Sequence, residues 1–210
     1  MLFRSDHAIL MKIKTATAIK VGDEISMSVD TFWRQHTMKN HTATHLLQAA
    51  LQQILGKSVK QAGSVVTRDY LRFDYTYHQP LSLEDLKKIE DLVNTKIWEN
   101  IPVVVKNTTY KQAVDEGVIA FFGDKYNPEN VRAIIIDKFS KELCGGTHVS
   151  ATGDIGMFKI IEDTALAAGQ RRIVAYTGAK ALAQFQQDFS LAKNLSQDLK
   201  VKPEQVFDSV

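Results

Sequence analysis

Between Thr42 and Tyr176, two long helical patterns are separated by strand-like runs that come in neighbouring pairs, and this order constrains the fold more than any other feature of the chain. Leu46, Leu47, Ala50, Leu51 and Ile54 share one face of a helix predicted over Thr42 to Leu55, which Gly56 stops. A strand pair follows, Lys60 to Thr67 and Leu71 to Tyr77, joined by a turn at Arg68-Asp69. Ser82 caps a second helix with Leu83, Leu86, Ile89, Val93 and Ile97 in register, closed before Pro102. Val103 to Val105, Ala133 to Ile136, Met157 to Ile161 and Ile173 to Tyr176 are short apolar runs of the buried-strand type. Strands arriving in pairs, rather than one per helix, predict an α+β fold in which an antiparallel β-sheet packs with helices.

The flanks differ from this centre. In residues 1–34, Ile9, Met11 and Ile13 alternate with polar neighbours, Val21-Gly22-Asp23-Glu24 makes a turn, and Ile25, Met27 and Val29 alternate again. Two strands alone are marginal in water, so this part is expected to be the end of a larger β-rich module. Residues 179–210 read as a helical tail with Leu182, Phe185, Phe189 and Leu195 on its apolar side, and Pro203 opens a further short helical segment. The abrupt first residue and an ending inside a helical pattern lead us to expect a piece of a longer chain whose central domain is 35–178.

The chain has 210 residues, long enough to bury a core, and carries one cysteine and six histidines. A single cysteine excludes an intramolecular disulfide framework and points to a reducing, cytoplasmic setting. No apolar run approaches the ~18 residues of a membrane span and no signal peptide opens the chain, so no membrane partner is expected. The net charge of +2 decides nothing about nucleic acid, because distribution matters more than total.

The histidines and the cysteine carry the strongest chemical signal. His41 and His45 lie four apart and so share a helix face, while Cys144 and His148 repeat the spacing around Gly145-Gly146. Three imidazoles and one thiolate suit a tetrahedral Zn²⁺ and not Mg²⁺ or Ca²⁺, which take oxygen ligands. Each half alone is compatible with ordinary core or surface roles; the two halves together, using the sole cysteine, favour one zinc ion. A zincin protease needs Glu directly after the first histidine, and Thr42 stands there.

Asn40-His41-Thr42-Ala43-Thr44-His45-Leu46-Leu47, Gln61-Ala62-Gly63-Ser64, Glu142-Leu143-Cys144-Gly145-Gly146-Thr147-His148 and Gly169-Gln170-Arg171-Arg172-Ile173 with Thr177-Gly178 resemble, in this order, the editing domain of alanyl-tRNA synthetases. Gln170 stands where that family often has an aliphatic residue; the double glycine and the Arg-Arg segment set the chain apart from threonyl relatives. The resemblance covers roughly residues 35–180. It implies the editing fold, with the end of a β-barrel before it and the start of a helical region after it. The implied activity is zinc-dependent hydrolysis of the ester joining serine or glycine to the acceptor end of tRNA(Ala). Such a site is needed because a pocket sized for alanine cannot strongly reject a smaller ligand or one with an added hydroxyl.

Under that resemblance, His41, His45, Cys144 and His148 hold the metal, Thr44 senses the seryl hydroxyl, and Gln61 and Ser64 line the same pocket. Gly63 is expected to allow close approach of backbone and substrate. Arg171, Arg172, Arg72 and Lys60, with Lys57 and Arg68 beside them, are the candidate tRNA phosphate contacts. No phosphate-cradling glycine motif is present, so ATP chemistry is expected in an aminoacylation region outside this chain, and no DNA partner is expected. Two readings compete: a free-standing deacylase of the same family, and a zinc-stabilised tRNA-binding module without catalysis.

Overall fold

The computed structural model describes residues 2–4, 9–11, 14–119, 127–202 and 205–206. The chain divides into two compact units, Met1–Asp30 and Thr31–Val210. In the first, β1 (Leu2–Arg4) pairs antiparallel with β2 (Ile9–Met11). This corrects the expected pairing across the Val21–Glu24 turn. Ile25, Met27 and Val29 lie in no strand and are exposed. Alternation marks a strand only where its hydrogen bonds are received by a neighbour, and these residues pair with no described strand. His7 and Ile13, like Pro203, lie outside the described residues.

The second unit is built on α1 (Thr31–Leu55), which starts well before the predicted Thr42. Its buried face begins only at Asn40, so the apolar register identified the packed part of the helix and not its exposed first turns, where Phe32 and Trp33 face solvent. Gly56, at φ 106°, ends it as expected. The hairpin β3 (Gln61–Val66) and β4 (Leu71–Thr76) joins β9 (Gln170–Thr177) and β8 (Phe158–Ala167) in an antiparallel sheet of order β3-β4-β9-β8. A smaller antiparallel sheet consists of β5 (Val103–Thr108), β6 (Val131–Ile136) and β7 (Ser140–Leu143).

Ser82 caps α2 (Leu83–Trp98) in a reciprocal box with Asp85. The core joins Leu46, Leu47 and Leu51 of α1 to Ile89, Val93 and Ile97 of α2 and to Phe73, Tyr75, Phe158 and Ile173 of the large sheet. Helices therefore pack on antiparallel sheets, the predicted α+β class. Several short elements were not foreseen. The helix α3 (Tyr110–Asp115), capped by Thr109, is too short to show a period, and β7 is mostly polar because its side chains serve the site described below. In α4 (Gly178–Leu199) the predicted apolar ridge of Leu182, Phe185, Phe189 and Leu195 is present but exposed; Ala181 and Ser196 are the buried positions.

Candidate metal centre

Helix α1 delivers the first two donors. Asn40 anchors it, donating from Nδ2 to the Thr67 carbonyl (2.9 Å) and accepting from Thr177 Oγ1 (2.7 Å), which ties α1 to the β3–β4 turn and the end of β9. One turn apart on the helix, His41 and His45 then face the loop after β7. That loop supplies Cys144 and His148, and one ligand atom from each of the four residues lies within 4.8 Å of all the others. Cys144 Sγ is 3.4 Å from both His41 Nε2 and His148 Nε2.

The loop is held by means that spacing does not reveal. Arg132 of β6 donates to the carbonyls of Cys144 (2.8 Å) and Gly146 (2.7 Å). A Cβ on Gly146 would sit 2.0 Å from His41 Cε1, so this position accepts only glycine while the ring stays in place. Gly145 has nothing within 4 Å of the same position.

Each imidazole is also oriented from behind. His41 Nδ1 lies 3.2 Å from the Thr147 carbonyl, and His148 Nδ1 lies 3.1 Å from Thr42 Oγ1, which also accepts the Val149 N–H (3.2 Å). His45 Nδ1 lies 2.8 Å from Glu142 Oε2, a close ion-pair contact without the alignment of an ideal hydrogen bond. Glu142 is itself held by Ser140 Oγ (3.0 Å). Partners of this kind fix which ring nitrogen faces a metal.

The electrostatics suit a cation. Burial works against a charged Cys144 sulfur, but hydrogen bonds from His148, His41 and His45 prevail and bring the thiol down to about 3. Burial pushes His148 down to about 4, which keeps it neutral, the ligating form. Burial also opposes charge on His45, yet Glu142 and Cys144 outweigh it and raise this group to about 10. A metal entering here would displace that proton. Tetrahedral zinc with ordinary Zn–N and Zn–S bonds separates its nitrogen and sulfur ligands by about 3.6 Å, close to the 3.4 Å found for two of the pairs, so the donor set fits zinc in its chemistry and these two spacings are near those of a bound ion.

A small cavity of about 120 Å³ opens beside these four residues. His41, His45 and Cys144 border it together with Thr44 and Gln48 of α1, Gln61 and Ser64 of β3, and Glu142 and Leu143 of β7. The predicted pocket residues Thr44, Gln61 and Ser64 thus meet at one place. Thr44 Oγ1 donates to the Asn40 carbonyl (2.8 Å), which leaves its oxygen free to accept. Gln61 Nε2 donates to Ser64 Oγ (3.0 Å). Gly63 does not line the cavity; the register of β3 shifts between Gln61 and Gly63, and a Cβ on Gly63 would be in ordinary contact with Asp74, 3.5 Å away. Gln48 and Arg132 were not singled out from the sequence, and Glu142 entered only as the first residue of the Glu142–His148 motif, with no role given to it. Gln48 carried a signal of its own, three residues after His45 and four after Thr44 on the same helix face.

Gln61 also borders a wider cleft of about 770 Å³, with Gln52, Gln53, Lys57, Lys60 and Phe139 on its walls. Three of the arginines predicted to contact tRNA are matched internally. Arg172 pairs with Asp74 through two bonds (2.7 and 2.9 Å), Arg72 reaches the same carboxylate (3.4 Å), and Arg171 pairs with Asp163. The Arg172 guanidinium holds the Asp74 carboxyl below its ordinary value. Lys60 is exposed.

The family described as Threonyl and Alanyl tRNA synthetase second additional domain matches residues 123–174, which include Cys144 and His148. The alanine--tRNA ligase of Pseudothermotoga lettingae is 45% identical over 192 residues, 91% of this chain and 22% of that protein. That of Thermotoga petrophila is 44% identical over 207 residues, 98% of the chain and 24% of the relative. That of Halorhodospira halophila is 47% identical over 184 residues, 88% and 21% respectively. The chain thus spans less than a quarter of the length of these relatives. Among the described residues, no helix is long and apolar enough to cross a membrane.

Proposed function

Because the chain belongs with the segment of alanine--tRNA ligases that carries the second additional domain, we propose that it edits aminoacyl-tRNA, hydrolysing the ester that links serine or glycine to tRNA(Ala). The observation that carries this reading is the joining of a three-histidine, one-cysteine cluster to a small cavity whose wall carries Thr44, Gln48, Gln61 and Ser64. A cavity of about 120 Å³ holds the equivalent of about four waters. His41, His45, Cys144 and His148 would hold one Zn²⁺, whose positive charge would stabilise negative charge developing on the scissile carbonyl.

The other residues take roles that follow from their donors and acceptors. Thr44 accepts a hydrogen bond from the seryl hydroxyl, since its own proton is committed to the Asn40 carbonyl. Gln61 and Ser64, bonded to each other at the rim, orient the ester between the cavity and the wider cleft. That cleft receives the terminal nucleoside of the tRNA: Gln52 and Gln53 offer amides, Phe139 a ring, and Lys57 and Lys60 charge for the backbone. Water is the nucleophile, and no covalent intermediate with the protein forms. The setting is the cytoplasm, and ATP is used only by the aminoacylation region of the relatives' longer chains.

A second reading has one observation behind it. Four protein donors complete a tetrahedral zinc shell, as in structural sites, and a chain with such a shell could bind tRNA without altering the ester. One experiment separates the two. Deacylation of serine-charged tRNA is measured with the parent chain, with Cys144→Ala, and after chelation. The editing reading expects hydrolysis that falls at least about 100-fold in both treated samples. Binding of charged tRNA with an intact ester in the parent chain overturns it in favour of the second reading.

A further inference from the structure

Among the residues bordering the cavity, one has no task within the protein. Gln48 is 2% exposed, and its side-chain amide nitrogen has no hydrogen-bond partner among the described residues. A buried, unpaired amide costs stability, and folded proteins rarely keep one without a use. Its position is telling: Gln48 stands one turn beyond Thr44 on α1, with both side chains on the cavity wall. Thr44 presents an acceptor there; no described residue bonds either end of the Gln48 amide, whose Nε2 is buried, and a half-turn about its soft terminal torsion brings that donor to the cavity.

We propose that Gln48 determines specificity at this site by donating from its side-chain amide to whatever polar group occupies the aminoacyl side-chain position. The proposal rests on the deacylase reading and accounts for a selectivity that a hydroxyl sensor alone leaves unexplained. A seryl hydroxyl would donate to Thr44 and accept from Gln48, satisfying both. A glycyl group has no side chain, which leaves room for a water to do the same. An alanyl methyl fills that room without a polar atom and leaves the Gln48 amide unpaired. Serine and glycine are accepted and alanine is refused by one mechanism, because the site tests for an oxygen rather than for size.

Gln48→Met tests this with nearly the same side-chain volume and no donor. The chain and its variant are compared in hydrolysis of seryl-, glycyl- and alanyl-tRNA, and in binding of amide-linked, non-hydrolysable seryl-, glycyl- and alanyl-adenosine. The expected result is a loss of roughly ten- to hundred-fold in the preference for seryl and glycyl over alanyl forms, in both assays. Zinc content should stay the same, and the melting temperature should change little, since the Gln48 amide nitrogen bonds no described residue of the protein. Thr44→Val combined with Gln48→Met should cost less than the sum of the single changes, because one oxygen serves both residues.

Unchanged preference in Gln48→Met, with hydrolysis intact, overturns the proposal and leaves the deacylase reading standing. A marked fall in melting temperature with preference retained overturns it too, by showing a structural glutamine. Selective binding of seryl and glycyl analogues that disappears in Gln48→Met, in a chain that hydrolyses nothing, supports the role of Gln48 and removes the deacylase reading.

Discussion

The two halves of the metal centre share a spacing and nothing else. His41 and His45 are brought together by helical geometry, which puts residues four apart on one face whatever the surroundings. Their helix is anchored through Asn40 and packed through Leu46, Leu47 and Leu51, so this half is held in place by contacts that need no ion. Cys144 and His148 lie in an irregular loop, where a separation of four residues dictates no direction. That half is aimed by contacts from elsewhere: two bonds from Arg132, the Thr42 hydroxyl behind His148, and the fit of Gly146 under the His41 ring. A repeated spacing therefore conceals two kinds of dependence. The helical half depends on local structure and core packing, the loop half on a few tertiary hydrogen bonds and one close approach.

The largest expected effect breaks the loop half at that approach. In Gly146→Ala the new methyl would lie 2.0 Å from His41 Cε1, so either the ring or the loop must leave its place, and each carries a ligand. Zinc affinity should fall by more than about 100-fold, beyond the range usual for losing a hydrogen bond behind a ligand. Competition with a chromophoric chelator reads the affinity, and far-ultraviolet circular dichroism should be unaltered because the core lies in α1, α2 and the large sheet. Retention of tight zinc binding would mean that the loop moves freely, and the contrast between the halves would collapse.

The same contrast explains what could be read from the chain. The packed part of α1, β4 and α2 were legible because each buries a periodic apolar face on a neighbour that also shows its period, and β3 through the turn that joins it to β4. The four ligands were legible as two pairs. What escaped notice depends on tertiary placement: β7 is polar because Glu142 and Ser140 serve His45, and Arg132 looks like any strand arginine until its loop is in view. Ile25, Met27 and Val29 misled for the converse reason, a strand-like period that pairs with no described strand. Thr44 shows both sides. Its hydroxyl does bond back to its own helix, as a helix threonine commonly does, and it also borders the cavity, where its oxygen can still accept.

An intermediate effect is expected from the loop's hydrogen bonds. Arg132→Met removes both donors to the Cys144 and Gly146 carbonyls and keeps much of the aliphatic stem. Zinc affinity should weaken by about 10- to 100-fold, with Arg132→Lys between the variant and the parent. The helix itself should be unaffected, so backbone nuclear magnetic resonance signals of α1 in the zinc-free chain should stay near their parent positions, while the His41 ring, which touches the loop at Gly146 and Thr147, should shift. Equal disturbance of both pairs would show that the halves are coupled through the ring contacts between His41 and His148, and not separately supported.

The smallest effect concerns the other glycine. Gly145 and Gly146 look alike in sequence, and a doublet invites the view that the loop needs flexibility at both positions. The structure separates them: a Cβ on Gly145 meets nothing within 4 Å, and Gly145 is absent from the glycines with positive φ. Gly145→Ala should therefore change zinc affinity by less than about twofold in the chelator assay, the smallest difference that the 2.0 Å clash at Gly146 predicts by contrast. If it instead weakens zinc by tenfold or more, space is not the controlling quantity. The loop would then have to pass through conformations that only glycine reaches in order to close on the ion, and the difference between the two halves would be one of motion and not of support.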